Sequence, residues 1–377
     1  MKRRSFLKLA GLSSAGLGLG FPLNTKWAHA GETRKSNRRA TWKTDPASGN
    51  QYFTQDNLLT DWVEDGHVLA KYDGWWWAYP INEFDDEFHD WWIAEKGWYY
   101  DQLIAYFTGE SEEFNIPNGG HHHPMLTTYG AKWDNRADSQ FHLNTTPKGF
   151  TIIPKVDQID YINQQVQAVY DDPQADFPSD LFKLRKSLYQ QKDLWDKTKF
   201  ATLELYTGRP IDENDPGNEG GYYGFNETHT FQNIIENPMS TLAYMSLFNT
   251  DGTQSYFGGS ENDTPTFEFR GFCWLISYYN PDLTQYERAI ADYINGAHSG
   301  YHGGSDVITT NIYLISEEFD NSPGHDPYGR GKRVVPEPET GLYTSAKKLY
   351  TAKNELKNKK MTKAEKIELL KKLRIPV

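Results

Sequence analysis

Between Tyr72 and Phe107 the chain is crowded with aromatic side chains: Trp75, Trp76, Trp77, Tyr79, Phe84, Phe88, Trp91, Trp92, Trp98, Tyr99, Tyr100 and Tyr106. So many rings need a dry place to pack, which constrains the fold more than any motif does. Phe84, Phe88 and Trp91 or Trp92 recur at helical spacing and predict a helix over 83–107, with a weak point at Gly97. The other side of that helix would carry Asp86, His89 and Asp90. Asp86-x-x-His89 sets a carboxylate and an imidazole one turn apart, as bundle metal sites require. The same spacing also gives an ordinary ion pair.

Elsewhere helical periods outnumber alternating ones. They predict helices over Val156–Tyr170, Ser179–Tyr206, Asn237–Phe248 and Thr284–Asn295, the last stopped by Gly296. Phe150–Ile153 reads as a short strand, and the apolar run Phe267–Tyr279 reads as a buried segment. The expected fold is mainly α, a large single globular domain with long glycine-rich loops and a minority of short strands.

The first thirty residues are of another kind. Arg3 and Arg4 are followed by Ser5, Phe6, Leu7 and Lys8, then by a weakly apolar glycine-rich run and Ala28-His29-Ala30. This order resembles a twin-arginine export signal, with cleavage expected after Ala30. The resemblance implies a bacterial protein released to the periplasm or secreted, without a transmembrane anchor after processing. It also implies export in the folded state, which favours a cofactor inserted beforehand.

Charge divides what remains. The whole chain carries −12, yet its first thirty residues hold five basic and no acidic side chains. Residues 344–377 hold eleven Lys and Arg against three Glu, a net +8, which leaves −25 on residues 31–343. Three regions result: the signal-like segment 1–30, an acidic aromatic-rich domain 31–343, and a basic tail 344–377. Such an acidic body disfavours nucleic acid, whose phosphates need Lys and Arg. In the tail, Thr362-x-x-Glu365 is a capping box opening a helix with Ile367, Leu370 and Leu373 on one face. That tail is expected to dock on the body or on a protein partner. Cys273 is the single cysteine, so thiolate clusters are excluded and any metal must use histidine and carboxylate.

The candidate site comes from three glycine–histidine stretches. GNEGGYYGFNETHTFQNIIE, residues 217–236, runs a glycine loop into a helix capped by Asn226, with His229, Gln232, Asn233 and Glu236 on one face. Asn118 to Pro124 contains His121, His122 and His123, of which at most two could reach one ion. Ala297 to Asp306 offers His298, His302 and Tyr301 in a glycine-rich run expected to be a loop. His229, Glu227, Glu236 and Tyr301 are the catalytic candidates; His121, His123, His229, His298 and His302 are the candidate metal ligands. The P-loop, the dinucleotide fingerprint, the nucleophile elbow and HExxH are absent. The expectation is an exported oxidoreductase or oxygenase acting on a small molecule. It would use a transition metal (iron, copper or manganese) or haem beside an aromatic-lined pocket. Two other readings fit the same residues: a carbohydrate-active hydrolase or lyase, and a periplasmic binding or assembly protein.

Overall fold

The computed structural model describes residues 40–63, 66–72, 75–112, 120–130, 143–149, 151–197, 199–203, 228–246, 265–302, 309–322 and 331–336. They form a mixed α and β structure built on an antiparallel sheet, which corrects the expectation of a mainly α chain. The strands are β1 (Ala40–Thr44), β2 (Gln51–Gln55), β3 (Leu58–Leu59), β4 (His67–Tyr72), β5 (Trp75–Pro80), β6 (Met125–Tyr129), β7 (Leu143–Pro147), β8 (Lys199–Leu203), β9 (Met239–Met245), β10 (Thr266–Ser277), β11 (Thr309–Asp320) and β12 (Lys332–Val335). The helices are α1 (Asp86–Thr108), α2 (Ile159–Asp171), α3 (Ser179–Tyr189), α4 (His229–Glu236) and α5 (Gln285–His302).

The large sheet runs β12-β11-β10-β9-β6-β7, and β8 pairs with β11 beside β12. Its longest strands, β10 and β11, are antiparallel partners with a bulge between Arg270 and Gly271. The bulge explains the glycine. A Cβ on Gly271 would stand 2.0 Å from the Leu314 carbonyl oxygen, so no side chain fits. Beyond Phe272, where β9 ends its pairing, the Gln55 side chain stands in as a partner. Its Nε2 donates to the Cys273 carbonyl at 3.0 Å, and its Oε1 accepts from the Leu275 amide at 2.7 Å.

A separate sheet, β3-β4-β5, is tied to β11 by Asn82, whose amide donates to the Ile315 carbonyl at 2.8 Å. Two strands correct particular expectations. Asn237 to Phe248 was to be a helix with Met239, Leu242 and Met245 inward, but Met239–Met245 is β9. There Leu242 and Tyr244 are buried at the two-residue spacing of a strand. The long helix expected over Ser179–Tyr206 is instead α3, a 3-10 turn at Lys192–Leu194, and β8.

The aromatic stretch does form its helix. Asp85 caps α1 by accepting the Glu87 amide at 2.8 Å, and Asp86 and Glu87 complement the helix dipole. Gly97 does not break it; the side chain of Lys186 of α3 passes there to reach Asp101 at 2.6 Å, its Cε 3.6 Å from where a Cβ on Gly97 would stand. Gly109, at φ 79°, ends it. Phe88 packs edge-on against Tyr244, Phe267 and Phe269 at 4.7–5.2 Å between ring centres, which seats α1 on the sheet. Helix α3 packs against α1, and α2 packs against α3 and α5. No helix among the described residues is long and apolar enough to cross a membrane.

Helix α5 begins with a capping box, in which the Glu287 amide donates to Thr284 Oγ1 at 3.2 Å and the Thr284 amide to Glu287 Oε2 at 2.8 Å. It then runs through Gly296 and Gly300 to His302. The loop expected after Gly296 is therefore helix. Each glycine in a helix interior costs about 1 kcal/mol relative to alanine.

Candidate functional site

The side chains buried along α1 follow one stripe: Phe88, His89, Trp92, Glu95, Lys96, Tyr99, Tyr100 and Leu103. Five of them are titratable, His89, Glu95, Lys96, Tyr99 and Tyr100, and Glu95 and Lys96 lie side by side at mid-helix. Buried charge is costly unless it is paired, so each must be accounted for.

Glu95 is held by donors from three directions. Its Oε1 accepts from Trp91 Nε1 at 3.2 Å and from the Ser246 hydroxyl; its Oε2 accepts from the His121 amide at 3.0 Å. His121 Nδ1 lies 3.6 Å from Oε2, just beyond a hydrogen bond. The His121 ring is buried, and neither of its nitrogens makes a hydrogen bond. Burial first, then the charges of Lys96 and His123, hold its pKa well below 6.5, so the imidazole is neutral.

Lys96 sits in a box of four rings. Its Nζ is 5.7 Å from the centre of Trp92, 5.3 Å from Tyr99 and from Tyr100, and 5.6 Å from Tyr189 of α3. Burial, helped by the nearby Arg185, lowers its pKa to about 7. Tyr189 shares a hydrogen bond of 2.8 Å with Thr151, and burial raises its pKa, as it does that of Tyr293 on α5. Trp92 and Tyr99 flank both Lys96 and His121, with ring centres 6.1 and 5.5 Å from the imidazole. One aromatic shell thus encloses an amine that is half deprotonated near neutral pH, a neutral imidazole, a fixed carboxylate and phenols that keep their protons.

No family model matches this chain, and neither does any curated protein or solved structure. The assignment of the site rests on its geometry.

That geometry rearranges the candidates read from the sequence. His121 joins the site, while His122 stacks on Tyr99 at 5.8 Å and His123 meets His122 edge-on at 4.5 Å. The three rings follow one another instead of converging. His229 and Glu236 stand half-buried at the two ends of α4, which packs on β6 and β7. The polar stripe expected on that helix is broken by Asn233, which is fully buried and donates to the Thr128 carbonyl at 3.2 Å. Thr228 caps α4, accepting the Phe231 amide at 3.2 Å; Asn226 and Glu227 lie outside the described residues. His298, Tyr301 and His302 share α5, the two histidines one turn apart.

Among the described residues no group of three or more His, Cys, Asp or Glu side chains could hold a metal ion. The described residues therefore do not assemble the expected ligand set; Glu227 and the side chains of His298, Tyr301 and His302 lie outside them. The Asp86-x-x-His89 pair does not form either. Asp86 is exposed and pairs with Lys197, whereas His89 is buried against Phe84 at 5.3 Å. Glu95, Lys96 and Tyr189 were not among the candidates. The signal for the first two was present: continuing the Phe88–Trp92 period by one turn lands on them.

Proposed function

We propose that the protein is an exported enzyme that works by side-chain acid–base chemistry at Lys96, on a small carbonyl compound bearing negative charge. The observation that supports this is the Lys96 amine, enclosed by four rings and lowered to about 7. A general base is most effective when its pKa lies near the working pH. Its partners have the opposite bias: Tyr189 and Tyr293 hold their protons and can donate hydrogen bonds to oxygen. In this reading Lys96 removes the proton from the carbon next to a carbonyl. The electron pair moves onto the carbonyl oxygen, where the Tyr189 hydroxyl and the positive field of Arg185 stabilise the enolate. Glu95 and His121 fix the helix to its neighbouring loop and wall the amine from solvent. The reaction class is that of a lyase or isomerase acting without a metal, which differs from the oxidoreductase and from the carbohydrate-active hydrolase or lyase read from the sequence.

The test has two parts. Nitrogen NMR of labelled lysine should show one amine titrating near pH 7 that vanishes in Lys96→Met. A panel of α-keto and β-hydroxy acids incubated in deuterated water should then show hydrogen exchange at the α-carbon that Lys96→Met and Lys96→Arg abolish. A Lys96 amine titrating at the ordinary 10.5, or exchange unchanged by both substitutions, overturns the reading.

A further inference from the structure

Five large apolar side chains stand exposed among the described residues, and four of them share one region of the sheet: Met125 (41%), Tyr129 (44%), Leu143 (57%) and Met245 (58%). The strand register puts them on one face. Tyr129 lies opposite Leu143, Met125 lies opposite Ala243, and Met245 follows two residues after Ala243. The opposite face of the same strands carries Leu126, Leu242 and Tyr244, which are buried. Beyond β9 the exposed face changes character. Arg270 pairs with Glu268 at 2.7 Å and with Glu317 at 4.0 Å, and Arg333 also reaches Glu317. The charged half neutralises itself, whereas on β6, β7 and β9 the four apolar side chains flank a row of threonines in which Thr127 and Thr145 share a hydrogen bond at 3.1 Å.

We propose that the basic tail, residues 344–377, docks the apolar side of its helix on the patch of Met125, Tyr129, Leu143 and Met245. A sheet with one apolar face under α1 is stable as a layered structure when its other apolar face is covered too. The tail fits in chemistry: Ile367, Leu370 and Leu373 form an aliphatic stripe suited to Met, Tyr and Leu. It fits in charge, since its +8 is drawn to a body of −25. It also fits in reach. The described chain stops at Pro336, just after β12, on the far rim of the same sheet. From there to Thr362 the chain can extend roughly 80 Å, whereas crossing the sheet to β6 takes about 20 Å at about 4.8 Å per strand.

Limited trypsin digestion of the full chain reads the docking, because the tail is rich in lysine. In the wild type the tail should be cut slowly. Met245→Glu and Leu370→Glu should each speed that cleavage by about tenfold or more, since cleavage follows the population of the undocked form. The double variant should be no faster than either single one. Met245 is exposed, so its substitution should leave the melting temperature of the tail-deleted protein unchanged. Equal cleavage rates in all four proteins overturn the proposal. So does a dimer, seen by light scattering, that Met245→Glu dissociates while tail cleavage stays the same, which would make a second copy the occupant. Protection that appears only with anionic vesicles, whatever residue stands at 245, overturns it in favour of a lipid surface.

Discussion

Two regions along α1 bury ionisable groups among very different neighbours. At the N-terminal end of α1, Glu318 of β11 accepts the Asp85 amide at 2.7 Å, but its other oxygen has no partner. Burial keeps its pKa up at about 8. Nearby, both nitrogens of His89 lack hydrogen bonds, and burial brings its pKa down to about 4. Both groups answer burial by giving up their charge. One to two turns further on, Glu95 is saturated by donors from α1, the histidine loop and Ser246, while Lys96 is surrounded by rings from two helices. Burial lowers the pKa of Lys96 and His121 just as it lowers that of His89, but around them donors and rings converge from several elements. That contrast separates a tolerated buried group from one the fold has been shaped around.

The largest effect should come from the residue both stretches depend on. Phe88→Ala removes the ring that joins α1 to Tyr244, Phe267 and Phe269, and should cost about 3–5 kcal/mol in denaturant unfolding. If the mid-helix site is built independently, the Lys96 titration in the folded variant stays near 7. A shift back toward 10.5 would show that the two stretches are one unit.

Lys96→Met comes next and should raise stability by about 1–4 kcal/mol, because a buried charge is replaced by an apolar chain of similar length. The sign follows from the pKa. Between about 7 and 10.5 the unfolded chain holds a proton that the native amine lacks, so Lys96 makes stability rise with pH across that window. The advantage of the variant is therefore greatest below pH 7 and fades toward 10.5. A variant less stable than the wild type at pH 6 would recast Lys96 as a structural cation held by its rings.

The sequence revealed α1 because Phe88 and Trp92 mark one face of a helix over several turns. It hid the sheet for reasons local to each strand. In β9, Met239, Leu242 and Met245 satisfy a helical spacing as well as Leu242 and Tyr244 satisfy a strand, and only pairing with β10 and β6 decides between them. In β10 the run Phe272-Cys-Trp-Leu-Ile is buried throughout, so it carries no period at all. Gly296 read as a stop because glycine is weak in an isolated helix, yet α5 passes through it. The site was half visible. Three consecutive histidines drew attention to His121, while Ala-Glu-Lys-Gly at 94–97 has the composition of an exposed helical turn. What made Glu95 and Lys96 special is the loop and the tyrosine brought to them from elsewhere, and spacing along the chain does not encode that.

Glu318→Gln probes the N-terminal end with a smaller change. Glutamine keeps an acceptor for the Asp85 amide and cannot ionise. The native carboxyl holds a proton between about 4.5 and 8 that the unfolded chain has lost, so Glu318 makes stability fall as pH rises through that range. The variant should match the wild type near pH 4.5 and exceed it by about 1–3 kcal/mol above pH 8, the scale of one unsatisfied buried polar group. Thermal melts at pH 4.5 and 8.5 check this. Equal gains at both values would mean that packing, and not ionisation, sets the difference.

The smallest expected effect tests whether the N-terminal end is a simple pair of neutralised groups. His89 has the opposite slope to Glu318. Between about 4 and 6.5 the unfolded chain binds a proton that native His89 refuses, so this group makes stability rise with pH. From about 4.5 to 6.5 the two contributions oppose each other, because folding takes one proton off the imidazole and leaves one on the carboxyl. His121 and other groups add their own slopes, so only differences between variants are informative. In that window His89→Leu should tilt the stability profile downward with rising pH relative to the wild type, and Glu318→Gln should tilt it upward. The double variant should run parallel to the wild type, because each single change removes one of two cancelling terms. Urea unfolding at half-unit pH intervals resolves the tilts. A double variant whose slope departs from the wild type would mean that the two groups interact directly, and the N-terminal end would then be a coupled pair, more like the mid-helix site than its contrast.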